Sequence, residues 1–83
     1  MKTKFINQNV NVTAIRFDRQ FEPIPQRIEF GGTSYNFVDE GIRIAIKSGQ
    51  HLTRLFDMSD GTQQFRLRRQ SNETQWQLVS ISH

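Results

Sequence analysis

Hydrophobic and polar residues alternate with a period of two along much of this chain, and turn signals interrupt the alternation about every ten residues. The pattern is clear over 10–14 and over 42–47, where isoleucines alternate with Arg43, Ala45 and Lys47. Such alternation predicts half-buried β-strands. No window has apolar residues at helical spacing for three turns, so the sequence predicts no helix.

Glycines and prolines mark where the predicted strands end. Gly31-Gly32 predicts a tight hairpin between strands over 27–30 and 33–38. Further turns are predicted over 39–41, 48–50 and 59–61. Pro23 and Pro25 exclude a central strand and predict an extended loop over 18–26. The other predicted strands cover 9–17, 42–47, 51–58, 64–68 and 75–81.

This spacing predicts an all-β fold. We expect a small antiparallel meander of six or seven short strands that curls into an SH3-like barrel or a sandwich, which would remove exposed edges. A chain of 83 residues has room for one hydrophobic core, so residues 1–83 are predicted to form a single β domain.

The alternation also predicts a basic outer face. If the isoleucines of 42–46 face the core, with Phe65 and Leu67 beneath them, the residues between them point outward. A bulge in the 51–58 strand would turn Arg54 outward as well while Leu52 and Phe56 stay inside. The predicted face then carries Arg43, Lys47, Arg54, Arg66 and Arg68.

The charge distribution supports that hypothesis. The net charge is +3, and the whole excess lies in 41–70, which has six basic residues against Asp57 and Asp60. A basic sheet face suits a phosphate backbone, and Tyr35 is the best candidate for stacking on a base. The alternatives are a solvated outer face, with arginines paired to Asp57 or Glu73, and a Tyr35 that packs in the core.

The residues that could support catalysis are few. The chain has no cysteine, and its histidines are His51 and the last residue, His83. The acidic pairs Asp39-Glu40 and Asp57/Asp60 lie at turns, where Asp bonds the local backbone. We therefore predict a protein that is not an enzyme and that has neither a metal nor another cofactor.

No run of apolar residues is long enough to be the core of a signal peptide or to span a membrane. The sequence predicts a cytoplasmic protein with no membrane partner.

Three stretches together resemble a family of uncharacterised small bacterial β domains. They are Pro25 to Tyr35, with a strand, a glycine turn and a strand bearing Tyr; Arg54 to Gly61, which ends in an Asp-Gly turn; and Trp76 to Leu78. The resemblance covers about residues 16–81. Such domains are short independent proteins or are appended to DNA-polymerase-like repair proteins, so the resemblance implies a role with nucleic acid or in a repair complex. The family often has an aromatic-Arg-Gly turn where this chain has Phe30-Gly31-Gly32.

Two functions follow as hypotheses. The first is a non-catalytic binding module that contacts DNA or RNA through the predicted basic face and Tyr35. The alternative is a protein-interaction or structural domain that binds a protein partner, or a second copy of itself as a homodimer. It would use a sheet edge or the 18–26 loop.

Overall fold

The computed structural model describes residues 2–39, 41–71 and 73–83, and all regular structure within these ranges is β-strand. The strands are β1 (Thr3–Phe17), β2 (Pro23–Phe30), β3 (Thr33–Asn36), β4 (Ile42–Ser48), β5 (His51–Ser59), β6 (Gln64–Gln70) and β7 (Trp76–Ser82). They form one antiparallel sheet in the order β3-β2-β1-β7-β6-β5-β4. The predicted all-β antiparallel fold is confirmed. The sheet is not closed, however, and β3 and β4 are its two edges.

The long strand β1 serves both halves of the sheet. Its first part pairs with β7, and its second part, from Asn11 onward, pairs with β2. Register shifts between Phe5 and Gln8 and between Val12 and Ile15 interrupt these ladders. Asn7 lies within the first shift with a φ of 53°, a left-handed conformation that asparagine tolerates. Such irregularities bend a strand, and the bends allow the β2–β3 hairpin to fold over the β4–β7 half.

The hydrophobic core lies between these two halves. Phe65 of β6 is 1% exposed, and its ring centroid lies 4.9 Å from that of Tyr35 and 5.3 Å from that of Phe37. These contacts attach the β3 side of the molecule to β6. The buried apolar side chains are Val10, Ile24, Ile28, Phe56, Met58, Phe65, Leu67, Trp76 and Leu78. The prediction that Phe65 and Leu67 face the core is confirmed.

The turns follow the glycines. Gly31 and Gly32 have φ values of 60° and 79° in a two-residue turn, and β2 and β3 pair on either side of it. This confirms the predicted hairpin, because a primed turn needs positive φ. The predicted 39–41 turn includes Glu40, which lies outside the described residues. After β3, the N–H of Val38 donates to the carbonyl of Ser59 at 2.8 Å, so this segment reaches the end of β5 before β4 begins.

The prediction of a loop over 18–26 is wrong in its second part. Pro23 and Pro25 lie inside β2, where they pair with Phe17 and Ile15 of β1. The β3 ladder pairs only with 27–30 of β2, so the proline part of β2 has a ladder on one side alone. Proline has no backbone N–H. It is tolerated in this part of β2 because no second ladder needs that donor.

The predicted faces of β4 are also wrong. Ile42, Ile44 and Ile46 are 66%, 41% and 49% exposed, and they lie on the side of the sheet away from the core. The register explains this reversal. Arg43 is opposite the buried Phe56, and residues opposite each other in a ladder share a face. The core side of β4 therefore carries Arg43, Ala45 and Lys47.

The predicted bulge near Arg54 is absent from β5. The ladders of β5 with β4 and β6 run without a register shift. Strict alternation then puts Leu52, Arg54 and Phe56 on the same side, so Arg54 points to the core side of the sheet. It is half-buried there.

Candidate functional site

Strand β4 is the exposed edge of the larger half of the sheet. Every residue of β4 is exposed, and its ladder within the described residues is with β5 alone. Three isoleucines form its outer side. A long apolar strand at a sheet edge is a template for pairing with another chain, and proteins usually cover or charge such an edge.

The hairpin turn determines which backbone groups of β4 are unused. Gly49 and Gln50 separate the paired residues Ser48 and His51, and Gly49 has a φ of 61°. Residues that flank a two-residue turn form a hydrogen-bonded pair, and such pairs alternate along an antiparallel ladder. The N–H and C=O groups of even-numbered β4 residues therefore point to β5. Those of Arg43, Ala45 and Lys47 point away from the sheet.

The β1–β2 loop, residues 18–22, lies against the core side of this edge. Asp18 organises it: its Oδ1 accepts hydrogen bonds from the backbone N–H of Gln20 at 2.8 Å and of Glu22 at 2.9 Å. The backbone N–H of Phe21 donates to the Asp18 carbonyl at 3.0 Å. Phe21 has a φ of 60° and is 83% exposed, so the loop holds a large apolar side chain in solvent.

Two ion pairs fasten this loop to β4 and β5. Arg43 Nη1 lies 2.6 Å from Asp18 Oδ2, and Arg54 Nη1 pairs with Glu22. The hydrogen bond from the Glu22 backbone, which outweighs the opposing effect of burial, lowers the pKa of Asp18 below its ordinary value, and Arg43 adds to this. We call the two pairs the loop latch. It neutralises arginines that β4 and β5 direct toward the core side.

A basic cleft of about 550 Å³ opens between the loop and β4. It is lined by Arg16, Phe17, Asp18, Arg19, Gln20, Ile24 and Arg43. Its lining comes from the end of β1, the loop and β2, together with Arg43 of β4. The charged residues that line it within the described ranges are Arg16, Arg19, Arg43 and Asp18, and Arg43 is paired with Asp18. The exposed Phe17, at 62%, adds an apolar wall.

A second cleft of about 330 Å³ adjoins the basic cleft, and all four latch residues line it. It shares Asp18, Gln20 and Arg43 with the basic cleft and continues to Arg54 and Phe56. The Asp18–Arg43 ion pair therefore lines both clefts.

The basic residues predicted to form one face are divided between two. Arg43, Lys47 and Arg54 are on the core side, whereas Arg66 and Arg68 are on the outer side, opposite Asp57 and Leu55. The prediction of a common outer face is wrong. The reason is the hairpin register, which pairs Arg43 with Phe56.

The individual environments of the predicted site residues differ as well. Arg66 donates two hydrogen bonds to the Asp57 carboxylate, at 2.7 and 2.9 Å, and this contact raises the pKa of Arg66. Lys47 and Arg68 form no ion pair with any described residue. Tyr35 is half-buried against Phe65 and packs with the core.

Sequence reasoning missed two parts of this site. It did not single out Arg16 and Arg19, because no local sequence pattern shows that the 18–22 loop lies against β4. It also placed the isoleucines inside. The signal that could have corrected the second error is Ser48-Gly49-Gln50-His51, since a two-residue turn there pairs Arg43 with Phe56 and Ile42 with Asp57.

Comparison of the chain with family models, with curated proteins and with solved structures gives no match. The resemblance to small bacterial β domains therefore stays a prediction, as does the cytoplasmic location. Among the described residues, no group of three or more His, Asp or Glu side chains is arranged to hold a metal ion. Within the same ranges there is no helix with the length and apolar character that crossing a membrane requires.

Proposed function

We propose that this protein is a protein-interaction module that binds an extended segment of another protein by adding it as a strand beside β4. The observation that carries the proposal is β4 itself: a seven-residue edge strand, exposed at every position, with three exposed isoleucines on one side. In strand addition, backbone hydrogen bonds supply affinity and alternate side chains supply specificity. The unused backbone groups of Arg43, Ala45 and Lys47 would receive the added strand.

The β3 edge is less suited to this role. It has four residues, Thr33 to Asn36, of which Tyr35 is directed to the core. Short polar edges resist pairing with other chains. A partner strand would therefore gain fewer hydrogen bonds and no apolar contact there.

Amide exchange measured by NMR tests the proposal directly. The probe is a seven-residue alternating Val/Thr peptide with blocked ends. Binding should slow exchange at Arg43, Ala45 and Lys47 at least tenfold and leave Tyr35 and Asn36 of β3 unchanged. The Ala45→Pro variant removes one outward N–H and should abolish the effect. Unchanged exchange at β4 with saturating peptide, or protection at β3 instead, would refute strand addition at β4.

The nucleic-acid hypothesis stays a prediction with less support. A phosphate backbone is bound best by several cations on one surface, and here three of the five predicted cations are in ion pairs and the five occupy two faces. Filter binding with single- and double-stranded oligonucleotides at about 50 mM salt checks it, because phosphate contacts weaken steeply as salt rises. Micromolar, salt-sensitive binding that Lys47→Gln and Arg68→Gln both weaken would support it.

A further inference from the structure

We propose that the segment bound at β4 alternates apolar residues with Asp or Glu, so that its carboxylates meet Arg43, Lys47 and the basic cleft. This inference rests on the proposed strand addition and specifies the chemistry of the partner. Its basis is that β4 has two sides of different chemistry, one apolar and one cationic.

The register determines which side chains an added strand would meet. Residues directly opposite each other on adjacent strands share a face, about 4.5–5.5 Å apart between Cβ atoms. Alternate residues of the added strand would therefore lie beside Ile42, Ile44 and Ile46 on the outer side. The residues between them would lie beside Arg43, Ala45 and Lys47 on the core side.

Two cations here, Lys47 on the core side of the edge and Arg19 in the basic cleft, form no ion pair with any described residue. Strand β4 contains Arg43 and Lys47 and no acidic residue. The lining of the basic cleft beside it includes Arg19 and the Arg43–Asp18 ion pair. Arg43 uses Nη1 to donate to Asp18, and its remaining N–H groups can donate to a second carboxylate. Acidic side chains on the core side of the added strand would form charge-assisted hydrogen bonds there.

A second copy of this chain fits the edge less well. If two β4 strands paired about Ala45, Arg43 of each would oppose Lys47 of the other, and like charges directly opposite are destabilising. Pairing about Ile44 avoids that clash but brings two basic edges together without adding a carboxylate. Each copy also carries a net charge of +3. An acidic strand supplies the charge that both arrangements lack.

The test compares three nine-residue peptides with blocked ends and valine at every odd position. The even positions are Asp or Glu in the first peptide, Gln in the second and Lys in the third. Affinities are measured by fluorescence anisotropy at 50 and 500 mM salt, with amide exchange at β4 as the site-specific readout. We expect the acidic peptide to bind at least about tenfold more tightly than the Gln peptide at low salt. That ratio should shrink to within about threefold at high salt, where surface charges are screened.

Matched variants locate the charges responsible. Arg19→Gln and Lys47→Gln should each weaken binding of the acidic peptide about twofold to fivefold and leave the Gln peptide unchanged. Arg68→Gln removes a cation from the outer side and should change neither affinity. An equal effect of Arg68→Gln would overturn the assignment of the carboxylates to the core side.

The outcomes separate this inference from the proposed function. If the acidic and Gln peptides bind β4 equally, strand addition holds and the acidic preference is wrong. If no peptide protects the β4 amides, both are wrong. If protection at Ala45 rises with protein concentration in the absence of peptide, the occupant is a second copy and the acidic-partner proposal is overturned.

Discussion

Proline substitutions at two neighbouring positions of β4 test which backbone groups the fold uses. Ala45 is on the free edge with its N–H directed outward, whereas the N–H of Ile44 points to Leu55 of β5. A proline removes the N–H in both variants. We therefore expect Ala45→Pro to retain the fold and Ile44→Pro to destabilise it.

The expected magnitudes follow from the environments of the two residues. Ile44→Pro loses a ladder hydrogen bond and leaves the Leu55 carbonyl without its donor, which costs about 1–2 kcal/mol. The Ile44 side chain is 41% exposed and therefore partly buried. Its loss costs about 1–2 kcal/mol more. Ala45→Pro breaks no ladder bond and restricts the unfolded chain, so its stability should stay within about 1 kcal/mol of the wild type.

Urea denaturation gives the two free energies of unfolding, and Ile44→Ala is the matched control because it removes the side chain but keeps the N–H. The free energy of unfolding of Ile44→Pro should be about 1–2 kcal/mol lower than that of Ile44→Ala. Amide exchange in the wild type should be slow at Ile44 and Ile46 and fast at Ala45. If Ala45→Pro destabilises the protein as much as Ile44→Pro, the assignment of the outward backbone groups is wrong, and with it the proposed binding edge.

Three further substitutions test the core, a turn and the loop latch. Phe65→Leu should lower the free energy of unfolding by about 1–3 kcal/mol because it loses two ring contacts, and a double-mutant cycle with Tyr35→Leu in urea should give about 0.5–1.5 kcal/mol of coupling; additive losses would contradict the contact. Gly41→Ala should cost about 2–4 kcal/mol in the same assay, since φ is +71° and an added Cβ would lie 2.7 Å from the Asp57 carbonyl oxygen; a neutral result would contradict this geometry. Asp18→Asn should be less stable than the wild type at pH 6, and because the pKa of Asp18 is lowered in the folded state, the difference should shrink as the pH falls through that pKa. A gap between the two urea midpoints that stays constant from pH 6 to pH 2 would contradict the latch.

Much of the strand pattern could be predicted from local sequence. Gly31-Gly32 and Asp60-Gly61 marked hairpins because few residues other than glycine adopt positive φ easily. The alternation over 42–47 indicated a strand because side chains alternate across a sheet. Both features depend on residues that are close together in the sequence, so a local pattern is enough to predict them.

The candidate site could not be predicted in the same way. Alternation shows that the isoleucines and the basic residues of β4 lie on opposite sides, but it does not show which side meets the core. That depends on the pairing of Arg43 with Phe56, a contact between different strands. The latch and the basic cleft depend on residues further apart still, since Asp18 and Arg43 are 25 positions apart.

The sequence by itself therefore determined an all-β antiparallel fold, the positions of most turns and a basic excess in 41–70. The tertiary structure decided that β4 is an exposed edge, that the predicted basic face is divided between two sides, and that the 18–22 loop covers the arginines of one of them. The physical reason is that strand identity and turns follow from local conformational preference, whereas sheet order and burial follow from which strands pair across long separations. The isoleucines of 42–46 show the difference, because their spacing predicts the strand correctly, whereas their exposure depends on the pairing of Arg43 with Phe56, which turns them away from the core.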